Sequence, residues 1–260
     1  MNYTPPILIT SSVKVSTPVT KLRNQEERIN LTIKALGKWV QSDNNFKIIV
    51  CDGSGVDFSK QIYLKYPDAN IEFLTFKNNS LLVRKYGSGY GEGEIINYAL
   101  LHSQLLQKEP SFVKCTSKLY VENFREILNC YNGELICQCT FSNVRILRSF
   151  FNTYAKEKIK LLSIDTRFYI INKKIYLNFF SQAYIKVRHS KTYYLEHSFL
   201  DAAIKSNLRH FISDFAFKIT GVSGTLHKEY RKIGLLRFLK IKMNFSLIKS
   251  VKKFEKLFIA

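Results

Sequence analysis

Short apolar runs alternate with helix-period segments through the first two-thirds of the chain, and this alternation most limits its fold. Pro6 to Val15 reads as a buried first strand that runs into a polar loop. From Thr20 to Gln41 the spacing turns helical: Ile29, Ile33, Leu36 and Val40 fall at i, i+4, i+7 and i+11, on one helix face. Asn45 to Ser54 is a second strand closed by the turn signal Asp52-Gly53-Ser54. A short helix near Phe58 to Tyr66 and a third strand, Ile71 to Phe76, come next. The spacing then predicts a helix over Ile95 to Gln107, a strand over Ser111 to Leu119 and a helix over Val121 to Cys130. Strands over Glu134 to Thr140 and Leu162 to Ile171 follow, then a helix over Leu195 to Ser206.

Strands and helices in this order build an α/β sheet that is mostly parallel and flanked by helices. In such sheets ligands bind at the carboxyl ends of the strands. The residues placed there by the pattern are Thr10-Ser11, Asp52-Gly53, Lys114 to Lys118, and Asp165-Thr166-Arg167.

Charge narrows the partners. The formal net charge is +20, which draws polyanions: nucleic acid, an anionic membrane surface or phosphorylated substrates. The basic residues are densest after His227. There Leu247, Val251, Phe254 and Phe258 share one helical face, and Lys249, Lys252, Lys253 and Lys256 lie largely off it. This is a basic amphipathic helix, suited to an anionic membrane surface or to packing its apolar stripe on the domain. The expected organisation is one domain over 1–226 and a basic C-terminal helical extension over 227–260. No run approaches the ~20 apolar residues of a membrane span, and the N-terminus lacks the basic start of a secretion signal. A cytoplasmic protein is expected, peripheral on the inner face of the membrane. The five cysteines fit no zinc spacing, so reduced thiols are expected.

Several residues could carry chemistry. Asp52 can accept hydrogen bonds from a nucleobase or ribose, or simply close its turn. Tyr86 to Glu94 is the most glycine-dense stretch and reads as a loop before a helix, able to cradle a phosphate. It lacks the Gly-Lys-Ser/Thr ending of a P-loop and the spacing of a dinucleotide fingerprint. Glu92 and Glu94 lie within it. Lys114 and Lys118 could face a diphosphate or lie solvated on a loop. Asp165 and Arg167 could serve an acceptor hydroxyl and a phosphate, or pair with each other. Glu196 could act as a general base or simply suit a helix's first turn.

The order of these pieces from Pro6 to Glu122 resembles the nucleotide-binding half of GT-A glycosyltransferases. More narrowly, the chain resembles bacterial transferases of capsule and lipopolysaccharide O-antigen clusters. The residues that carry the likeness are Gly89-Tyr90-Gly91-Glu92, Lys114 to Tyr120, Asp165 to Tyr169, Glu196-His197, and Gly221-Val222-Ser223-Gly224. The resemblance implies a GT-A-like (Rossmann-like) fold and transfer of a sugar from a nucleoside-diphosphate sugar, by analogy a UDP-sugar. The acceptor it implies is a hydroxyl of a lipid-linked or growing surface glycan.

Donor binding is then expected from Thr10, Ser11, Arg28, Asp52, Gly87, Tyr90, Gly91, Asn97, Lys114, Thr116, Lys118 and Arg167. Catalytic roles fall to Glu196, Asp165 and Glu92. Most GT-A enzymes carry an Asp-x-Asp that binds a divalent metal, but here Lys114 to Lys118 stands at that strand end without a carboxylate. No cofactor is therefore expected: protein cations would replace the metal, with Asp165 the candidate ligand otherwise. Lys118 also stands where the narrower family tends to have Arg, which loses a bidentate phosphate contact. Two other classes stay open: a non-enzymatic nucleic-acid-binding protein, which lacks a signature here, and a sugar-phosphate transferase using the same donor site.

Overall fold

A computed structural model describes residues 3–141, 161–208, 210–225 and 227–230. The expected 227–260 extension lies outside the described residues from 231 onward, and with it the amphipathic helix.

Four parallel strands form one side of the main sheet, with β3 at its edge: β1 (Ile7–Ser11), β2 (Ile48–Asp52), β3 (Ile71–Thr75) and β4 (Ser111–Thr116). Two longer strands, β6 (Leu135–Phe141) and β7 (Leu161–Asn172), complete it in the order β3-β2-β1-β4-β7-β6. β7 runs antiparallel to both β4 and β6, so it alone opposes the rest. The fold is the expected mostly parallel α/β sheet flanked by helices. A small antiparallel sheet of β5 (Leu119–Val121), β8 (Ile219–Val222) and β9 (Glu229–Tyr230) stands beside it.

The strands read as continuous apolar runs because both faces of the sheet are covered. Side chains alternate across the sheet, so Leu8 and Ile49 point one way and Ile7, Ile9, Ile48 and Val50 the other. α1 (Gln25–Ser42) covers the second face with Ile29, Ile33, Leu36 and the fully buried Trp39. Asn24 caps it, its side-chain oxygen accepting from Glu27 N at 2.9 Å. α2 (Ser59–Lys65) and α6 (Phe124–Asn129) lie on the same face through Ile62 and Phe124. α3 (Ser80–Tyr86) precedes the opposite layer. There α4 (Ser88–His102) and α7 (Leu195–Lys205) bury Ile95, Ile96, Phe199 and Ala203, and the short α5 (Gln104–Gln107) buries Leu106. All five cysteines are free thiols.

Three local expectations are corrected. The glycine-rich stretch is not a loop: only Gly87, at φ +105°, separates α3 from α4, and Ser88 onward is helix. Its glycines serve close approach instead. A Cβ on Gly89 would stand 2.8 Å from Leu195 Cβ, and one on Gly93 would overlap Tyr184. Helix propensity argues against glycine, but packing decides here.

The strand expected to reach Leu119 ends at Thr116. Lys118 adopts φ +68°, which breaks the pleat and sends Leu119–Val121 into the small sheet. Asp165 to Arg167 do not follow a strand; they lie inside β7. Because β7 is antiparallel, its first half still lies at the carboxyl edge, with Phe168 paired to Cys115.

Candidate active site

The chain runs outward from β1 to β3, then returns to place β4 on the other side of β1. α1 leaves on one face and α4 lies on the other. The carboxyl ends of β1 and β4 therefore open a crevice between diverging connections, the switch point of a doubly wound sheet. A cleft of about 160 Å3 occupies it.

Thr10, Ser11, Arg28, Gly91, Glu92, Thr116 and Lys118, all expected at the donor site or as catalytic groups, line this cleft together. The loop after β1 forms one wall with Ser12, Thr17 and Thr20, whose residue types are dense just after the first strand. Asn78, Ser117 and Gly224 also line it. Sequence reasoning had not singled out Asn78, and nothing in its local pattern marks it.

Arg28 is buried, at 7% exposure. Its Nε and Nη2 donate to Ser12 O at 3.0 and 2.7 Å, and Nη1 to Leu22 O at 2.9 Å. It thus shapes the loop that walls the cleft. Burial lowers its proton affinity, and Asp52 partly restores it. Lys118, at 4% exposure, donates to Ser117 Oγ at 2.6 Å. Burial first, and the Arg28 charge second, bring its pKa down to about 7. Gly224 closes over both cations: a Cβ there would stand 3.1 Å from Arg28 Nη1 and from Lys118 Cε.

Glu92 links the strands. It accepts from Thr10 Oγ1 at 3.2 Å and Thr116 Oγ1 at 3.4 Å, and forms an ion pair with Lys114. Lys114 is fully buried behind the cleft and donates to Thr116 Oγ1 at 2.9 Å and Thr166 O at 2.5 Å. One carboxylate on α4 and one ammonium on β4 so tie together the ends of β1, β4 and β7.

Glu196, in the first turn of α7, has its carboxyl raised above the usual range. Burial is the main cause, and the Glu92 and Asp165 charges add to it while Lys114 opposes. The three expected catalytic carboxylates therefore share one electrostatic neighbourhood. Among the described residues, no three His, Cys, Asp or Glu side chains form a metal-holding group.

The remaining expected residues lie outside the lining. Asp52 is fully buried: Oδ2 accepts from Val13 N at 3.0 Å, and Oδ1 from Ser54 N at 2.8 Å and Ser54 Oγ at 2.5 Å. Its carboxylate fastens the two loops that border the cleft. Asp165 holds Arg167 Nε at 2.8 Å and Nη2 at 2.5 Å, and the guanidinium lies 5.0 Å from the Tyr230 ring centre. Tyr90 is buried against Tyr86 and Tyr184. Asn97 donates to Ser181 O at 2.8 Å, and Gly87 stands at the start of α4. Two buried polar atoms of cleft residues have no protein partner: Ser11 Oγ and Asn78 Oδ1.

No known family matches the chain by sequence, and no curated protein does. Its fold is similar to several solved structures. One is HddC from Yersinia pseudotuberculosis, 12% identical over 66% of this chain and 78% of that one, with a TM-score of 0.41. Another is 4-diphosphocytidyl-2C-methyl-D-erythritol synthase, 8% identical over 95% and 99%, with a TM-score of 0.43. A third is the galactosyltransferase LgtC in complex with donor and acceptor sugar analogs, 12% identical over 76% and 69%, with a TM-score of 0.41. Likeness at this level concerns the chain trace, and no residue, substrate or activity passes from these proteins to this one.

Proposed function

We propose that this chain is a glycosyltransferase that moves a sugar from a nucleoside-diphosphate sugar, by default a UDP-sugar, to a hydroxyl of a lipid-linked or growing surface glycan. The observation that carries the reading is the cleft at the β1/β4 switch point, which has two buried cations, Arg28 and Lys118, in its lining. Its one lining carboxylate, Glu92, is already matched by Lys114. Among the described residues neither Arg28 nor Lys118 is ion-paired, which leaves both open to a ligand anion, and the unpartnered Ser11 Oγ and Asn78 Oδ1 add polar contacts. The enclosed volume is below the ~300 Å3 at which small-ligand sites usually begin. It suits the diphosphate and sugar end, with the nucleoside held across the open mouth.

In this reading Arg28 and Lys118 stabilise the diphosphate as it leaves, a task that falls to a metal in many related chemistries. Lys114 works indirectly, by holding Glu92 in place. Glu196 is the base that takes the proton of the acceptor hydroxyl. Glu92 accepts from two hydroxyls and an ammonium, which leaves it less free, and a raised carboxyl pKa makes Glu196 the stronger base.

Contact with an anionic membrane has support within the described residues. Residues 166–195 contain Arg167, Lys173, Lys174, Lys186, Arg188 and Lys191 and no Asp or Glu, while Leu177, Phe179 and Ile185 are exposed. No helix among the described residues is long and apolar enough to cross a membrane.

The test is a thermal-shift screen against nucleoside diphosphates and sugar nucleotides, with and without EDTA. A ligand present at 100 times its Kd adds ~2.7 kcal/mol of stability. A shift with one nucleotide that survives EDTA supports the cationic, metal-free clamp. A shift abolished by EDTA keeps the transferase and removes that clamp. No shift with any of them sinks the donor site. A sugar-phosphate transferase would use the same cleft and is distinguished by a product that retains phosphate.

A further inference from the structure

A second cavity, of about 350 Å3, lies between α1 and the small sheet. One face of α1 lines it with Leu31, Lys34, Ala35 and Lys38, spaced i, i+3, i+4 and i+7. The opposite wall is built by Tyr120 of β5, Val222 of β8 and Tyr230 of β9. Its volume falls within the ~300–1,000 Å3 usual for small-ligand sites.

Its lining has two chemistries. Leu31, Ala35, Val222 and the tyrosine rings offer apolar and aromatic surface. Lys34 and Lys38 offer charge, Lys118 reaches this lining as well as that of the cleft, and the one acid is Glu229. Among the described residues neither Lys34 nor Lys38 is ion-paired. The Lys38 ammonium stands 5.8 Å from the Tyr120 ring centre and 3.4 Å from Thr220 Oγ1. A cation held over an aromatic face with a single neutral partner has donors to spare. Bare phosphate would satisfy the lysines and leave the apolar wall wet. An uncharged ring would do the reverse.

We infer that this groove, which shares only Lys118 with the cleft lining, is a second ligand site, taking a small organic phosphate whose ring lies against Tyr120 and whose phosphate meets Lys34 and Lys38. Lysine serves here as a compact point charge for phosphate. The site stands independently of the transferase reading, since its occupancy requires no donor and no reaction.

The protein carries its own reporter. Trp39 is the single tryptophan of the chain, its ring lies 4.8 Å from that of Tyr120, and it does not line the cleft. The full chain is titrated with phenyl phosphate while Trp39 fluorescence is followed, with phenol and inorganic phosphate as controls. The expected result is a saturable change with phenyl phosphate, at least tenfold weaker with either control. The K34Q/K38Q double variant should keep the wild-type Tm and lose at least tenfold in affinity, about 1.4 kcal/mol. Should that variant fold poorly, Tyr120→Leu gives the second reading, again with loss of phenyl phosphate binding. No saturable change, or equal affinity in both variants, overturns the site. A signal lost in Thr10→Val and kept in K34Q/K38Q places the probe in the cleft and also overturns it.

Discussion

Replacing Lys118 with methionine should make the protein more stable at neutral pH while removing its hold on a diphosphate. Lys118 is 4% exposed and its pKa falls from an ordinary 10.5 to about 7, through burial and then the Arg28 charge. The unfolded chain keeps the ordinary value. Below pH 7 both states bind the proton, and the folded state bears the full cost of a buried charge. Between pH 7 and 10.5 the unfolded state binds more protons than the folded one, so stability rises with pH. Above 10.5 both are neutral and the cost is gone. Each tenfold change in proton affinity is worth about 1.4 kcal/mol, which sets the cost at about 5 kcal/mol as an upper bound. Methionine keeps the stem that packs under Gly224 and meets the same φ of +68°, so packing and backbone strain change little. A gain of a few kcal/mol at pH 7 would raise Tm by roughly 5–10 °C. The assay is urea unfolding of both proteins from pH 6 to 10.5, read as their difference. That difference cancels the titration of tyrosines such as Tyr66, which burial also shifts. A gap largest from pH 6 to about 7 and closing by pH 10.5 is expected. A gap that does not vary with pH, or a variant less stable at pH 7, refutes the buried-charge account.

Other perturbations separate architecture from chemistry. Lys114→Met leaves Glu92 uncompensated and should cost about 3–5 kcal/mol. Adding Glu92→Gln should recover at least ~0.5 kcal/mol of that, measured as the coupling in a double-mutant cycle of urea unfolding. Asp52→Ala strips three accepted hydrogen bonds from the loops beside the cleft and should cost more than ~2 kcal/mol, with nucleotide binding weakened only through the loops. Asp52→Asn, which keeps one oxygen, should restore part of both, as read by thermal unfolding and titration. Glu196→Gln should lower sugar transfer ~10²-fold or more and leave the thermal shift with nucleotide unchanged. A parallel loss of nucleotide binding would move Glu196 from base to donor contact.

How much of this was legible in the chain follows from which forces act locally. The inner strands β1, β2 and β4 were readable because they are buried on two faces, which forces apolar runs such as Ile7-Leu8-Ile9 and Ile48-Ile49-Val50. The inner face of α1 was readable for a similar reason, one stripe of Ile29, Ile33 and Leu36 against one sheet. The glycine stretch misled because propensity is local and its cause is not: Leu195 and Tyr184, far along the chain, demand the missing Cβ atoms. No pattern near residue 90 contains that information. Asn78 was invisible for the same reason, since only the tertiary approach of its loop to α4 brings it to the cleft.

Asp165 to Arg167 show why a right location can come from wrong grounds. The sequence pattern puts them at the carboxyl edge by treating them as the residues that follow a parallel strand. A parallel β7 of 12 residues would have carried positions 165–167 to mid-sheet, away from the crevice. Its reversal returns them to the edge, where Thr166 O meets the Lys114 ammonium. The direction of β7 therefore does more than complete the sheet. It supplies a backbone acceptor for the one fully buried lysine of β4, and it lets Asp165 bear on Glu196. Strands of opposite direction bring a carbonyl, a hydroxyl and a carboxylate to the buried Lys114 ammonium from β7, β4 and α4. The cation behind the cleft is thus a consequence of topology that no single segment of the sequence encodes.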